Sequence, residues 1–155
     1  MKKIVAFFCI LTTLTLLLGC GSGSSKEVEG SLTDLMDTIY NEAEPDIPET
    51  MTMPLENETL PYYLGVTSLD FEEGLICEPM MGSYAHSVVL VRMKDGADIE
   101  AAKKEIRDTV NPRKWICVEV EEKNVIVDSI GNLIILIMSN DSPEELHQAF
   151  LNLAK

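Results

Sequence analysis

Residues 133–138 read Leu-Ile-Ile-Leu-Ile-Met, six apolar side chains in a row, directly behind Gly131-Asn132. A run this short reads as a strand, and since successive strand side chains point to opposite faces it is apolar on both. That places it centrally in a sheet. Gly131-Asn132 is a two-residue hairpin signal, so the preceding stretch 125–130 pairs with it antiparallel. Residues 86–93, His-Ser-Val-Val-Leu-Val-Arg-Met, have the same nearly continuous apolar middle and are closed by Asp95-Gly96.

The remaining elements arrange themselves around these three. Further strand candidates lie at 62–66, 71–77 and 115–120. Ser31 with Asp34 three residues on marks a helix start, and Leu32, Leu35, Met36, Ile39, Tyr40 and Ala43 form its apolar face. Asp98 caps a second helix with the face Ile99, Ala102, Ile106 and Val110, and Pro112 stops it. Ser142-Pro143-Glu144-Glu145 starts a third, combining a cap, a proline at the first position and a reciprocal glutamate. Pro45, Pro48 and Pro54 make residues 44–60 an irregular connection. The expected order is α-βββ-α-βββ-α. The expected fold class is α+β, a largely antiparallel sheet with helices packed on one face. At 155 residues, a single domain is expected, spanning 31–155.

The first thirty residues carry a different signal. Lys2 and Lys3 precede the uncharged stretch 4–18, which ends in Leu17-Leu18-Gly19-Cys20. A basic start and a short apolar run form a secretory signal, and fifteen residues fall short of a membrane span. The end of the run resembles the bacterial lipobox, which implies that Cys20 receives a diacylglyceryl group, with acyl chains such as palmitate, and becomes the first mature residue. Residues 1–19 are then a lipoprotein signal peptide and 20–30 a flexible Gly/Ser linker. The whole chain carries a net charge of −14, and the part after residue 19 carries −16. Phosphate binding needs basic surface, so nucleic acid is not an expected partner, and attraction to anionic lipid cannot hold the protein at a membrane. Covalent acyl chains can.

Chemistry is sparse elsewhere. Cys77 and Cys117 fall on expected strands, and an exported location permits a disulfide between them; two thiols packed as small hydrophobes is the alternative. The only histidines are His86 and His147, the latter expected to face solvent. His86 and Ser87 are adjacent on a strand and point to opposite faces, so they cannot form a catalytic pair. No serine-hydrolase elbow, metalloprotease helix, phosphate loop, dinucleotide motif or calcium loop is present. No metal ligand set or cofactor is therefore expected. Met51, Met53, Met80 and Met81 read as adaptable contact or core residues rather than as a copper site.

Several segments together resemble small lipoproteins of Gram-positive anaerobes that carry a domain of unknown function. They are Glu78-Pro79-Met80-Met81-Gly82-Ser83-Tyr84-Ala85-His86-Ser87-Val88-Val89-Leu90-Val91 with Lys94-Asp95-Gly96-Ala97-Asp98, Asn111-Pro112-Arg113-Lys114-Trp115-Ile116-Cys117-Val118, and Val125-Ile126-Val127-Asp128-Ser129-Ile130-Gly131-Asn132. The resemblance covers about residues 60–140 and the lipobox. It implies an α+β domain on the cell surface and no catalytic residues. The expected function is thus a lipid-anchored, extracytoplasmic, non-catalytic binding module at the cell membrane, with a protein partner. Its expected interaction loop comprises Glu78, Pro79, Met80, Met81, Tyr84 and His86, alongside the 44–60 segment. The alternative is a small cell-envelope hydrolase with a site near His86 and an acid such as Glu78 or Glu119. Ligand capture for a transporter fits less well, because a domain of this size lacks two lobes.

Overall fold

The computed structural model describes residues 27–155. The expected signal peptide, Cys20 and the expected linker up to residue 26 lie outside the described residues.

The central strand sits where its apolar run requires. Strand β5, Leu133–Ser139, is buried along its whole length, between β3, His86–Met93, and β4, Val125–Ile130. With β1, Thr50–Pro54, and β2, Phe71–Pro79, the described residues form one five-stranded antiparallel sheet in the order β1-β2-β3-β5-β4. The β4–β5 hairpin turns at Gly131, whose φ of 57° needs a residue without a side chain penalty. With four helices beside that sheet among the described residues, the fold is α+β.

The helices occupy both faces, not one. Helices α1, Leu32–Ala43, and α4, Pro143–Asn152, pack on a face made by Cys77, Val88, Leu90, Leu133, Ile135 and Ile137. The other face, with Ile76, Val89, Val91, Ile134, Leu136 and Met138, is covered by α2, Leu60–Tyr63, α3, Ile99–Thr109, and the irregular segment ending at Val120. The cause is the alternation within β5: odd and even residues are both apolar, and each set needs its own cover.

The element order also differs from the expected one, becoming α-β-α-β-β-α-β-β-α. Residues 62–66 are not a strand. Pro61 starts the short helix α2, a 3-10 turn at Asn57–Thr59 leads into it, and Gly65 ends it at φ 77°. Leu60 and Leu64, four residues apart, are its buried pair. The 44–60 connection contains strand β1, Thr50–Pro54, because 49–53 is free of proline and long enough to pair with β2, Phe71–Pro79. Residues 115–120 form no strand either. Cys117 adopts φ 64°, which breaks an extended run, and the Asn140 side chain stands in for a strand partner. Its amide donates to the Glu119 carbonyl at 2.9 Å and accepts from the Glu121 N–H at 3.0 Å.

The caps follow the sequence in two cases of three. Ser31 Oγ accepts from the Asp34 N–H at 3.1 Å, and Asp98 Oδ1 from the Ala101 N–H at 3.0 Å. Ser142 makes no side-chain cap: it sits at φ 49°, and Pro143 alone presets the first turn of α4. No helix among the described residues is long and apolar enough to cross a membrane.

Gly65 provides a test of the packing between α2 and α3. A Cβ there would lie 2.3 Å from the Thr109 carbonyl oxygen, in a conformation that already disfavours side chains. Gly65→Ala is expected to lower the unfolding free energy by about 2–5 kcal/mol, combining left-handed strain with overpacking. Urea denaturation measures it, and an unchanged midpoint would mean that the two helices do not meet here.

Candidate functional site

Two polar networks form where β2 ends, β3 begins and β5 ends, one on each side of the sheet. Strand alternation separates them: His86 faces the α1–α4 layer and Ser87 faces the α2–α3 layer.

On the first side His86 is fully buried. Its Nε2 lies 2.6 Å from the Tyr40 hydroxyl and its Nδ1 lies 2.8 Å from Ser139 Oγ. Ser139 Oγ donates to the Asp141 carbonyl at 2.7 Å and accepts from the Asp141 N–H at 3.1 Å. With that proton committed, Nδ1–H must donate to Ser139, and Nε2 accepts from Tyr40. Burial pulls the imidazole down to about 4, against an opposing pull from the Asp141 charge. Burial also raises the Tyr40 phenol far above its ordinary value, aided by Cys77. Tyr84 closes the network from the 80–85 loop by donating to Asp141 Oδ2 at 2.5 Å. Burial and that hydrogen bond push its hydroxyl up to about 12. The arrangement holds a neutral imidazole and fastens a loop. It offers no base to the Ser139 hydroxyl, whose proton already points elsewhere.

On the second side, Glu78 stands opposite Met51 across the β1–β2 ladder. Its Oε1 accepts from Lys114 Nζ at 2.6 Å, with the lysine side chain 2% exposed and the glutamate 13%. Lys114 also reaches Ser87 Oγ at 3.3 Å. Three rings surround the ammonium: Tyr63 at 4.4 Å, with Tyr62 and Trp115 each at 5.0 Å from their centroids. Burial lowers the lysine from its ordinary value, and the Glu78 charge and hydrogen bond restore part of it. Burial, followed by the Glu78 charge, raises both tyrosines. A cation among π-faces, paired with a carboxylate, compensates charges that would otherwise be costly to bury.

The large apolar side chains left exposed are all close to this pair in sequence, in strand register or through the ring cage. Ile116, 80% exposed, lies two residues after Lys114, and Met80, 68% exposed, lies two after Glu78. Exposed Met81 follows Met80, exposed Met51 faces Glu78, and the exposed edge of Tyr62 belongs to the ring cage. No other large hydrophobic residue among the described residues is exposed.

The expected interaction loop therefore divides. Met80 and Met81 are at the surface, as a contact loop requires. Pro79 is half-buried at the end of β2, and Tyr84 and Glu78 are tied into the two networks. His86 is removed from the surface altogether, because β3 enters the sheet at that residue with its side chain under α1. Cys77 and Cys117 are both free: Cys77 is buried beneath α1 and Cys117 is exposed on the irregular segment, so they are not a disulfide. His147 is half-buried, not solvent-facing, with Nε2 2.8 Å from Asp128 Oδ2. Burial raises the Asp128 carboxyl, but His147, the Ser129 N–H and the Lys103 charge outweigh it and hold the carboxyl below its ordinary value. Glu119 pairs with exposed Arg113 at 2.6 Å, and neither ring nitrogen of His86 bonds to it. Among the described residues, no group of three or more His, Cys, Asp or Glu is placed to hold a metal ion.

Lys114 is the residue that sequence reasoning passed over. Its signal lay in three aromatic residues, Tyr62-Tyr63 and Trp115, that had no assigned core position beside a lone lysine.

Compared with known proteins, the chain matches no family model, no curated protein and no solved structure.

Proposed function

We propose that the protein is a lipid-anchored, extracytoplasmic lipoprotein that binds a protein partner without catalysis, through the apolar patch around the Glu78–Lys114 pair. One observation carries the reading. The five large hydrophobics exposed among the described residues all lie close in sequence, in strand register or in ring contact to members of one buried, charge-compensated pair, as a contact surface needs and as scattered surface apolars do not. Met80, Met81 and Met51 suit such a surface, since thioether side chains repack against a partner. The N-terminal Leu17-Leu18-Gly19-Cys20 supports the anchor, and the Gly/Ser stretch behind it would let the platform reach a neighbour in the same membrane. The buried, fully bonded His86 lends no support to a hydrolase, because general base catalysis needs a nitrogen within reach of a substrate or nucleophile.

Two measurements test this reading. Intact-mass analysis of the protein from membranes should find a chain beginning at acylated Cys20; an intact Met1 or a free Cys20 thiol would remove the anchor. A photo-crosslinking residue at Ile116 should give one reproducible protein adduct in cells, whereas the same residue at Glu100, on α3, should not. Equal labelling from both positions would remove the patch.

A further inference from the structure

The two edges of the sheet are treated differently. On β4, two of the outward carbonyls are occupied: Arg107 Nη2 donates to the Val127 oxygen at 2.9 Å and Nη1 to the Val125 oxygen at 3.5 Å. On β1 the bonds to β2 run through odd-numbered residues. The Leu55 N–H reaches the Gly74 carbonyl at 2.9 Å, and the Met80 N–H reaches the Glu49 carbonyl at 3.3 Å. Antiparallel alternation then turns the N–H and C=O groups of Thr50 and Thr52 outward, followed by the carbonyl of Pro54. Among the described residues, nothing bonds to those outward groups of Thr50 and Thr52. An unpaired row of this kind is a template for another strand, and proteins ordinarily blunt it, as this one blunts β4. Met51, exposed on the face of the same strand, joins that edge to the apolar patch.

The charges beside β1 select the occupant. Asp46 and Glu49 precede the strand and Glu56 and Glu58 follow it; all four are exposed, and none is in an ion pair among the described residues. A second copy would bring the same four carboxylates against themselves on a chain of net charge −14. We infer that β1 accepts an extended, lysine- or arginine-bearing segment of a partner protein as a sixth strand, its backbone on Thr50 and Thr52 and its basic side chains on the flanking carboxylates. This deepens the patch reading and rests on it, since Met51 and Met80 would flank the added strand. Main-chain pairing supplies the affinity in such strand addition, and side-chain complementarity supplies the choice of partner.

The test uses the full lipidated chain in non-ionic detergent and a fluorescent peptide alternating lysine and valine, read by anisotropy. The expected result is saturable binding that weakens about tenfold or more between low and high salt, with no binding of the glutamate–valine counterpart. Thr52→Pro deletes an outward N–H that no internal bond uses and should weaken binding about tenfold or more; Thr52→Val, which keeps it, should not. Should Thr52→Pro fail to fold, the same lysine–valine peptide N-methylated at alternate amides provides the comparison on the unaltered protein, again with a loss of about tenfold. Equal affinity for the methylated and unmethylated peptides, equal affinity of the two Thr52 variants, or a protein dimer abolished by Thr52→Pro with no peptide binding would each overturn the inference. Failure of the patch itself reads out separately, as loss of selectivity in the Ile116 crosslink.

Discussion

Lys114→Met is expected to lower the unfolding free energy by about 3 kcal/mol or more, because it leaves the Glu78 carboxylate buried without its cation. Glu78→Leu should cost a similar amount for the converse reason. The double variant, Lys114→Met with Glu78→Leu, should return to within about 1 kcal/mol of the parent, since an apolar pair of comparable volume replaces a buried ion pair at little net cost. Urea denaturation of the four proteins closes the cycle, and the interaction energy should exceed about 2 kcal/mol. The chain has a single tryptophan, Trp115, whose ring lies against Lys114, so its emission should move to longer wavelength in Lys114→Met as the cage loosens. Single variants that cost under about 1 kcal/mol each would show that the pair is solvated, and the platform beneath the exposed methionines would lose its basis.

The second large effect is on pH dependence. The His86 imidazole is held neutral by burial, at about 4 in the fold against about 6.5 in an unfolded chain. Between those values the unfolded chain binds a proton that the native one refuses. Stability from this group is therefore fully present above pH 6.5 and is lost as pH falls toward 4. From pH 7 to pH 4.5 the loss should be about 2.5 kcal/mol from His86 alone. His86→Gln, less stable at pH 7 through the altered bonds to Tyr40 and Ser139, should show a correspondingly shallower fall over that range. All other titrating groups are common to both proteins, so the difference between the two pH profiles isolates His86. Parallel profiles would mean that the imidazole is reached by solvent in the native state.

What the sequence disclosed depended on whether a local pattern had one physical solution. The runs at 86–93, 125–130 and 133–138 did: each matches its strand, and Gly131 turned the chain where expected. The opposition of His86 and Ser87 also followed from strand geometry alone, and the two residues belong to separate networks. The one-sided helix layer conflicted with a fact already visible, that residues 133–138 are apolar on both faces and need two covers. Residues 62–66 misled because a four-residue helix is too short to show a period, and its start depended on Pro61 and the preceding 3-10 turn. Residues 115–120 had strand composition, but a positive φ at Cys117 and the reach of Asn140 decided otherwise, and neither is a local property. At the site, Met80 and Met81 were legible as loop residues. The Glu78–Lys114 pair was not, because 36 residues separate partners that only the fold brings together.

The central claim is that the exposed side chains around Glu78 and Lys114 form the surface a partner contacts. The most direct measurement is the yield of partner adduct from the photo-crosslinker at Tyr62 in a chain carrying Met80→Ser, Met81→Ser and Ile116→Ser. These three side chains are exposed, so the thermal midpoint should stay unchanged while the adduct falls at least about tenfold, as expected when the apolar centre of an interface is removed. An undiminished adduct at an unchanged midpoint would contradict the account.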